Sequence, residues 1–173
     1  MEPLNVAQTA KNADRAVKGF ISYAHEDHAV LGQLLTHLRP TEWKFRLTFW
    51  HDAHIEAGHH WDQKIEDAIA VAEVFILLAS PAFLGSRFIH DTEIPAIKRR
   101  MRVCKGKVIP VLVRDCAWEY ELGAMQAVPS DNGRSRPIED WKPRNKGYDT
   151  ARDQIDKAIA GHFGLKPRQR KWP

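Results

Sequence analysis

The sequence contains few cysteines and no long apolar stretch. Cys104 and Cys116 are its two cysteines. Because segment 1–16 is polar and lacks the apolar core of a signal peptide, we expect both to be buried thiols rather than a disulfide. No stretch approaches the roughly 18 consecutive apolar residues of a transmembrane helix. These absences predict a cytoplasmic protein that makes no contact with a membrane.

The common motifs of nucleotide and acyl chemistry are also missing. The sequence has no G-x-x-x-x-G-K-[ST] and no G-x-G-x-x-G after its first predicted strand, which argues against a P-loop nucleotidase and a dinucleotide-binding Rossmann domain. Ala79-Ser80-Pro81 stands where a phosphoacceptor receiver needs an acidic residue, and no G-x-S-x-G nucleophile elbow is present.

Neither the charge nor the histidines indicate a nucleic-acid or metal site. The net charge is +4, and the basic residues cluster at 98–107 and in the tail without interleaved aromatics, which is typical of a solvated surface rather than a contact with nucleic acid. One loop contains four histidines: His51, His54, His59 and His60. Neighbouring histidines cannot easily aim at one ion, so we predict no metal site.

Short apolar runs alternate with amphipathic stretches, which is the pattern of βαβ units. The predicted strands are 17–23, 45–50, 74–79 and 108–113, with a short fifth strand at 137–139. They predict an α/β domain with a flavodoxin-like, doubly wound, five-stranded parallel sheet and helices on both faces. Pro110 places the fourth strand nearer the sheet edge than the third.

The domain is expected to span residues 17–163, between a flexible N-terminal segment, 1–16, and a basic tail or linker, 164–173. Its first helix follows Asp27 as N-cap, and we expect Pro40 to end it. A later helix is predicted near 87–103, and Asp149 or Thr150 is expected to cap the last one.

In doubly wound sheets, ligands bind outside the carboxyl ends of the strands, where the strand order reverses. This rule selects three loops, 22–27, 51–60 and 80–93. Any chemistry is therefore expected there.

These loops contain a recognisable set of motifs. They are F-I-S-Y-A-H-E-D at 20–27, I-E-A-G-H-H-W at 55–61, L-L-A-S-P-A-F-L-G-S at 77–86, and then the acid Glu93. In this order the motifs closely resemble the TIR (Toll/interleukin-1 receptor) domain family, bacterial type. The resemblance covers about residues 17–163.

The resemblance implies one of two functions. Many bacterial TIR domains cleave NAD⁺ at the nicotinamide–ribose bond, using a glutamate that corresponds to Glu93. NAD⁺ is then the substrate and no separate cofactor is needed. Others are scaffolds that signal through TIR–TIR association alone. The enzyme is the leading interpretation, as an effector of antiviral immunity that yields ADP-ribose or a cyclised product.

The resemblance also implies a substrate cleft near Glu93. Its predicted members are Tyr23, His25, Ile55, Gly58, Trp61, Ser80 and Phe88. Several have structural alternatives: Tyr23 as a core residue, His25 as a surface residue, Ser80 as a helix cap and Trp61 as a core anchor. Gly58 is expected to give the long loop its backbone freedom.

Self-association is a second implication of the resemblance. The loop carrying Ile55 and Glu56 is expected to pack against a neighbouring copy, and the chain is expected to work with a sensor domain or partner protein. Two departures favour the scaffold: Ile89 replaces the tryptophan of many active relatives, and Ala24-His25 replaces an arginine.

Pro95 leaves two geometries open for Glu93. If Thr92 caps the helix, Pro95 lies in the first turn and Glu93 stays ionised at the positive end of the helix dipole. If the helix begins near Ser86, Pro95 lies inside the helix and kinks it.

Overall fold

A four-stranded parallel sheet organises the domain. The computed structural model describes residues 16–52 and 61–168. The strands are β1 (Val17–Ser22), β2 (Leu47–Trp50), β3 (Val74–Ala79) and β4 (Lys107–Leu112). Their order is β2-β1-β3-β4, and every neighbouring pair is parallel. The chain moves outward from β1 to β2 and then crosses back to β3, so the strand order reverses between β1 and β3.

Burial follows the composition of each strand. All six residues of β3 are buried, as expected for a continuous apolar run between two helical layers. Pro110 lies in β4, the end strand of this sheet, as the sequence predicts. The proline carbonyl accepts a hydrogen bond from the Val128 amide at 2.9 Å.

Helices cover both faces of the sheet. They are α1 (His28–Phe45), α2 (Trp61–Val71), α3 (Pro81–Gly85), α4 (Ile94–Val103), α5 (Trp118–Leu122) and α6 (Arg144–Phe163). Helices α1 and α6 contribute to one apolar core, and α2 to α5 contribute to another on the opposite face. The architecture is therefore the predicted flavodoxin-like α/β fold.

The prediction that Pro40 ends the first helix was wrong. Helix α1 continues to Phe45 with Pro40 inside it. Phe45 is buried in the core, and the Thr41 hydroxyl donates a hydrogen bond to Asp156 of α6 at 2.5 Å. These tertiary contacts outweigh the local cost of the proline.

The predicted fifth strand at 137–139 is also not formed. Ile138–Asp140 is instead a single 3₁₀ turn, in which the Asp140 amide bonds back to the Pro137 carbonyl at 3.1 Å. Beside β4 there is one isolated parallel bridge between Val111 and Val128. The chain then forms a small antiparallel hairpin of β5 (Ser130–Asp131) and β6 (Arg134–Ser135).

The last helix begins earlier than its predicted caps. It starts at Arg144 rather than after Asp149 or Thr150, because Tyr148 is buried in the core and draws the preceding turn into the helix. Gly164 ends it in the left-handed conformation, and Leu165 packs into the same core.

An ion pair between the buried Asp27 and the partly exposed Arg114 joins the carboxyl ends of three strands. Asp27, which follows β1, is fully buried, and its carboxylate accepts from Nη1 of Arg114 at 2.5 Å and from the Ser80 hydroxyl. Asp27 does occupy the predicted N-cap position of α1, but its side chain makes no capping hydrogen bond. The carboxylate holds Ser80 after β3 and Arg114 after β4.

Candidate functional site

Glu93 lies in a widened turn inside a helix. Residues 87–103 are helical throughout, and Ile89–Glu93 form a π-turn in which the Ile94 amide bonds to the Ile89 carbonyl. Pro95 has no N–H, so it cannot bond to the Asp91 carbonyl four residues earlier. The helix thus begins just after Ser86 and Thr92 is not its cap. π-turns of this kind often occur at functional sites.

The Glu93 carboxyl group is buried and bonded to the first strand. The side chain is 5% exposed, and the hydroxyl of Ser22, the last residue of β1, donates a hydrogen bond to its Oε2. In the described part of the chain, Glu93 makes no ion pair. Its surroundings therefore differ from those of Asp27, whose charge is met by an arginine.

This environment raises the pKa of Glu93 to about 7, from an ordinary 4.5. Burial is the main cause, because it penalises the charged carboxylate. The negative charge of Asp52 raises the pKa further, and the Ser22 hydrogen bond opposes both effects. Glu93 is consequently close to half protonated at neutral pH and does not stand at a positive helix end.

Asp52 and Tyr23 complete the cluster around Glu93. Tyr23 is buried, and its pKa is raised above the usual range by burial first, and then by a hydrogen bond to Asp52 and the charges of Asp52 and Glu93. Among the described residues, Oδ1 of Asp52 is buried without a hydrogen-bond partner. The group sits where β1 and β2 end, next to the reversal in strand order.

Among the described residues, three of the predicted cleft residues make no hydrogen bond to the Glu93 carboxyl group: His25, Phe88 and Ser80. His25 is exposed in a 3₁₀ turn, and Phe88 is half-buried against the apolar core. Ser80 is fully buried, bonds to Asp27, and caps α3 by accepting from the Phe83 amide at 3.0 Å.

The remaining predicted contacts fall in or beside the long loop. Trp61 is the first residue of α2. Ile55, Glu56 and Gly58 lie outside the described residues, as do His54, His59 and His60. Asp52, the last described residue before this loop, contacts the Glu93 cluster.

Sequence reasoning missed Ser22 and Asp52. Both stand at the carboxyl end of a strand, Ser22 within the quoted F-I-S-Y motif and Asp52 two residues after β2 ends. The rule that ligand sites lie at these ends did select the loops that contain both residues, but not these two side chains.

The described residues contain neither a metal-ligand cluster nor a membrane-spanning helix. In residues 16–52 and 61–168, no group of three or more His, Cys, Asp or Glu side chains could hold a metal ion. Over the same residues, no helix combines the length and apolar character needed to cross a bilayer.

The arrangement suits a reaction that develops positive charge. An ionised Glu93, buried away from water, interacts strongly with a nearby cation, and a carboxylate can also accept hydrogen bonds from substrate hydroxyls. Unlike Asp27, which pairs with Arg114, Glu93 has no cationic partner among the described residues. The cluster is therefore the candidate active site.

Comparison with known proteins matches most of the chain. The family model of the TIR domain matches residues 20–155. The chain is also 30% identical over 155 residues to "Uncharacterized protein y4lF" of Sinorhizobium fredii (strain NBRC 101917 / NGR234). That alignment covers 89% of this chain and 46% of the relative, so the chain spans about half of the relative's length.

Replacing Glu93 with glutamine should stabilise the domain above acidic pH. The unfolded carboxyl loses its proton near pH 4.5 and the folded one near 7, so the folded parent binds more protons between these values and loses stability as pH rises. The advantage of Glu93→Gln over the parent should grow across this window by about 3 kcal/mol and then stay constant. Urea unfolding across a pH series measures it.

Glu66→Gln is the matched control, because Glu66 is exposed on α2. Its difference from the parent should stay nearly flat with pH. A flat difference for Glu93→Gln as well would show that Glu93 titrates normally in the folded domain.

Proposed function

This chain belongs to the TIR domain family, and on that premise we propose that it is an enzyme that cleaves the nicotinamide–ribose bond of NAD⁺. The observation that carries the proposal is a buried carboxyl group, Glu93, without a counter-ion in the described structure. By the family resemblance, Glu93 corresponds to the catalytic glutamate of active relatives.

The reaction needs only one carboxylate. When the ribose C1′–N bond breaks, both bonding electrons pass to the pyridinium nitrogen, and nicotinamide leaves as a neutral molecule without a proton. An ordinary glycosidase needs a second carboxyl group as general acid, because its leaving oxygen must be protonated. A single buried glutamate is consistent with the simpler requirement.

Glu93 acts on the ribose that remains. The ribose gains positive, oxocarbenium-like charge, which the ionised Glu93 stabilises while its oxygens hold the ribose hydroxyls. Capture of C1′ by water gives ADP-ribose and a proton, and capture by a group of the same molecule gives a cyclised product. Both products need the same first step.

Ser22 is a positioning residue in this scheme. Its hydroxyl donates to Oε2 of Glu93, fixing the carboxylate and lowering its pKa against the effect of burial. The active form is the ionised one, so the hydrogen bond keeps more enzyme active at neutral pH.

Self-association through TIR–TIR contacts is part of the proposal. The curated relative is about twice as long as the aligned region, which supports a sensor domain or partner protein that triggers assembly. In that setting NAD⁺ depletion in the cytoplasm acts as an antiviral response.

One observation favours a non-catalytic scaffold as the second candidate. Ile89, at the position of the tryptophan in many active relatives, is 2% exposed and packs in the apolar core, so it offers no aromatic wall to a substrate. This candidate predicts assembly without turnover.

The proposal predicts that nicotinamide release from NAD⁺ depends on Glu93. Glu93→Gln keeps the side-chain shape but removes the charge, and it should lower the rate by about 100-fold or more. Release is measured at high protein concentration, with light scattering on the same samples to establish self-association. The exposed-site variant Glu66→Gln should match the parent.

Equal release by Glu93→Gln and the parent would contradict the mechanism. Absence of release from a parent that is shown to be self-associated would favour the scaffold.

The pH dependence of kcat/KM should report the Glu93 pKa. Activity should rise with pH to a plateau, with a midpoint near 7. Ser22→Ala removes the hydrogen bond that lowers this pKa, so the midpoint should move upward by about one pH unit. Ser135→Ala is the control, since the Ser135 hydroxyl bonds to the Ala127 carbonyl and not to Glu93. An unchanged midpoint in Ser22→Ala would remove Ser22 from the mechanism.

A further inference from the structure

A cavity of about 290 Å³ lies under α4 and α5, apart from the Ser22–Glu93 contact. Its walls are mainly apolar and include Leu77, Phe83, Ile94, Ile97, Met101 and Leu122. Four of these side chains are almost fully buried, so the walls belong to the packed core rather than to a loose surface.

The cavity is partly open to solvent and is large enough for a small apolar molecule. For comparison, an enclosed apolar cavity of about 150 Å³ stays dry and accommodates benzene. A space of 290 Å³ therefore suits an apolar group of about eight to ten carbons. Filling it removes apolar surface from water, which favours binding.

Two of the four polar side chains on the cavity are cationic. Lys98 and Arg102 both line it, are exposed, and lie one turn apart on α4, where like charges repel. Across the described residues, neither is part of an ion pair. The acidic side chain on the lining is Glu121, and His90 also lines it, with Nε2 hydrogen-bonded to the Leu84 carbonyl at 2.8 Å.

We propose that this cavity binds a medium-chain aliphatic carboxylate. The chain enters the apolar space, and the carboxylate lies between Lys98 and Arg102, where it relieves their mutual repulsion. A neutral molecule of the same length gains only the apolar part, and acetate gains only the charge. The inference concerns a site separate from Glu93 and does not rest on the proposed NAD⁺ cleavage.

The cavity also borders the π-turn that carries Glu93. His90 and Ile94 line it, whereas Glu93, in the same stretch of helix, bonds to Ser22, which does not line it. A bound chain therefore touches one side of the turn, and the Glu93 amide should register its presence.

Titration with octanoate, followed by methyl and amide NMR of the whole chain, tests the proposal. The methyl signals of Ile94, Ile97 and Met101 and the Glu93 amide should shift together and saturate, with a Kd on the order of 1 mM or tighter. Arg102→Gln should weaken octanoate binding about tenfold. Arg99→Gln, an exposed arginine on the same helix that does not line the cavity, should leave it unchanged.

Octanol and acetate separate the two parts of the recognition. Octanol should bind more weakly than octanoate and show no effect of Arg102→Gln, and acetate should cause no saturable shift of the lining methyls. The proposal is overturned by an absence of saturable shifts up to about 10 mM octanoate, by equal affinity for octanol and octanoate, or by equal effects of Arg102→Gln and Arg99→Gln.

Discussion

The burial of one carboxyl group that has no counter-ion among residues 16–52 and 61–168 is the constraint around which the site is built. Glu93 and Asp27 are both nearly inaccessible to water. The charge of Asp27 is met by Arg114, so that carboxylate works as a structural tie. Among the described residues, the Ser22 hydroxyl is what favours the charged form of Glu93, and burial raises the pKa of Glu93 to about 7. A cost of about 3 kcal/mol at neutral pH is large for a domain whose whole stability is about 5–15 kcal/mol. Such a cost is typical of a group retained for chemistry rather than for folding.

The fold accounts for how this group comes to be surrounded. Ser22 ends β1, Asp52 follows β2, and the helix after β3 carries Glu93, so three successive βα connections meet at one edge of the sheet. The reversal in strand order between β1 and β3 opens the space that ligands use in doubly wound folds. The π-turn Ile89–Glu93 lies inside the helix that spans residues 87–103, so Glu93 is not at the end of that helix. The charged form of Glu93 is therefore stabilised by the Ser22 hydroxyl and not by the helix dipole.

Much of the fold could be predicted from periodicity, and the errors have local causes. Strand β3 was predicted with its observed bounds because six apolar residues between polar turns leave little choice. The effects of Pro40 and Pro95 on their helices were harder to predict. Whether a helix continues past a proline depends on tertiary contacts, which no local sequence pattern contains. The hydrogen bond from Thr41 to Asp156 helps to keep α1 helical past Pro40. The helix that contains Pro95 has a π-turn, Ile89–Glu93, just before the proline. The fifth strand failed because the 137–139 segment closes on itself as a 3₁₀ turn.

The site was only partly predictable for a related reason. Glu93 was predicted from the family resemblance, and the three loops were predicted from the rule that ligands bind at the carboxyl ends of the strands. The pairing of Glu93 with Ser22 and the charge of Asp52 depend on residues that are 71 and 41 positions away in the chain, so spacing could not reveal them. Because these partners are distant in the chain, the pKa of Glu93 depends on the folded domain and not on its own helix alone.

The central claim is most directly tested by titrating the Glu93 carboxyl itself, using its side-chain ¹³C chemical shift in the folded protein. We predict a transition with a midpoint near pH 7 that is assigned by its absence in Glu93→Gln. A midpoint near the ordinary 4.5 would mean that Glu93 is an unremarkable, solvated carboxylate, and would contradict the account.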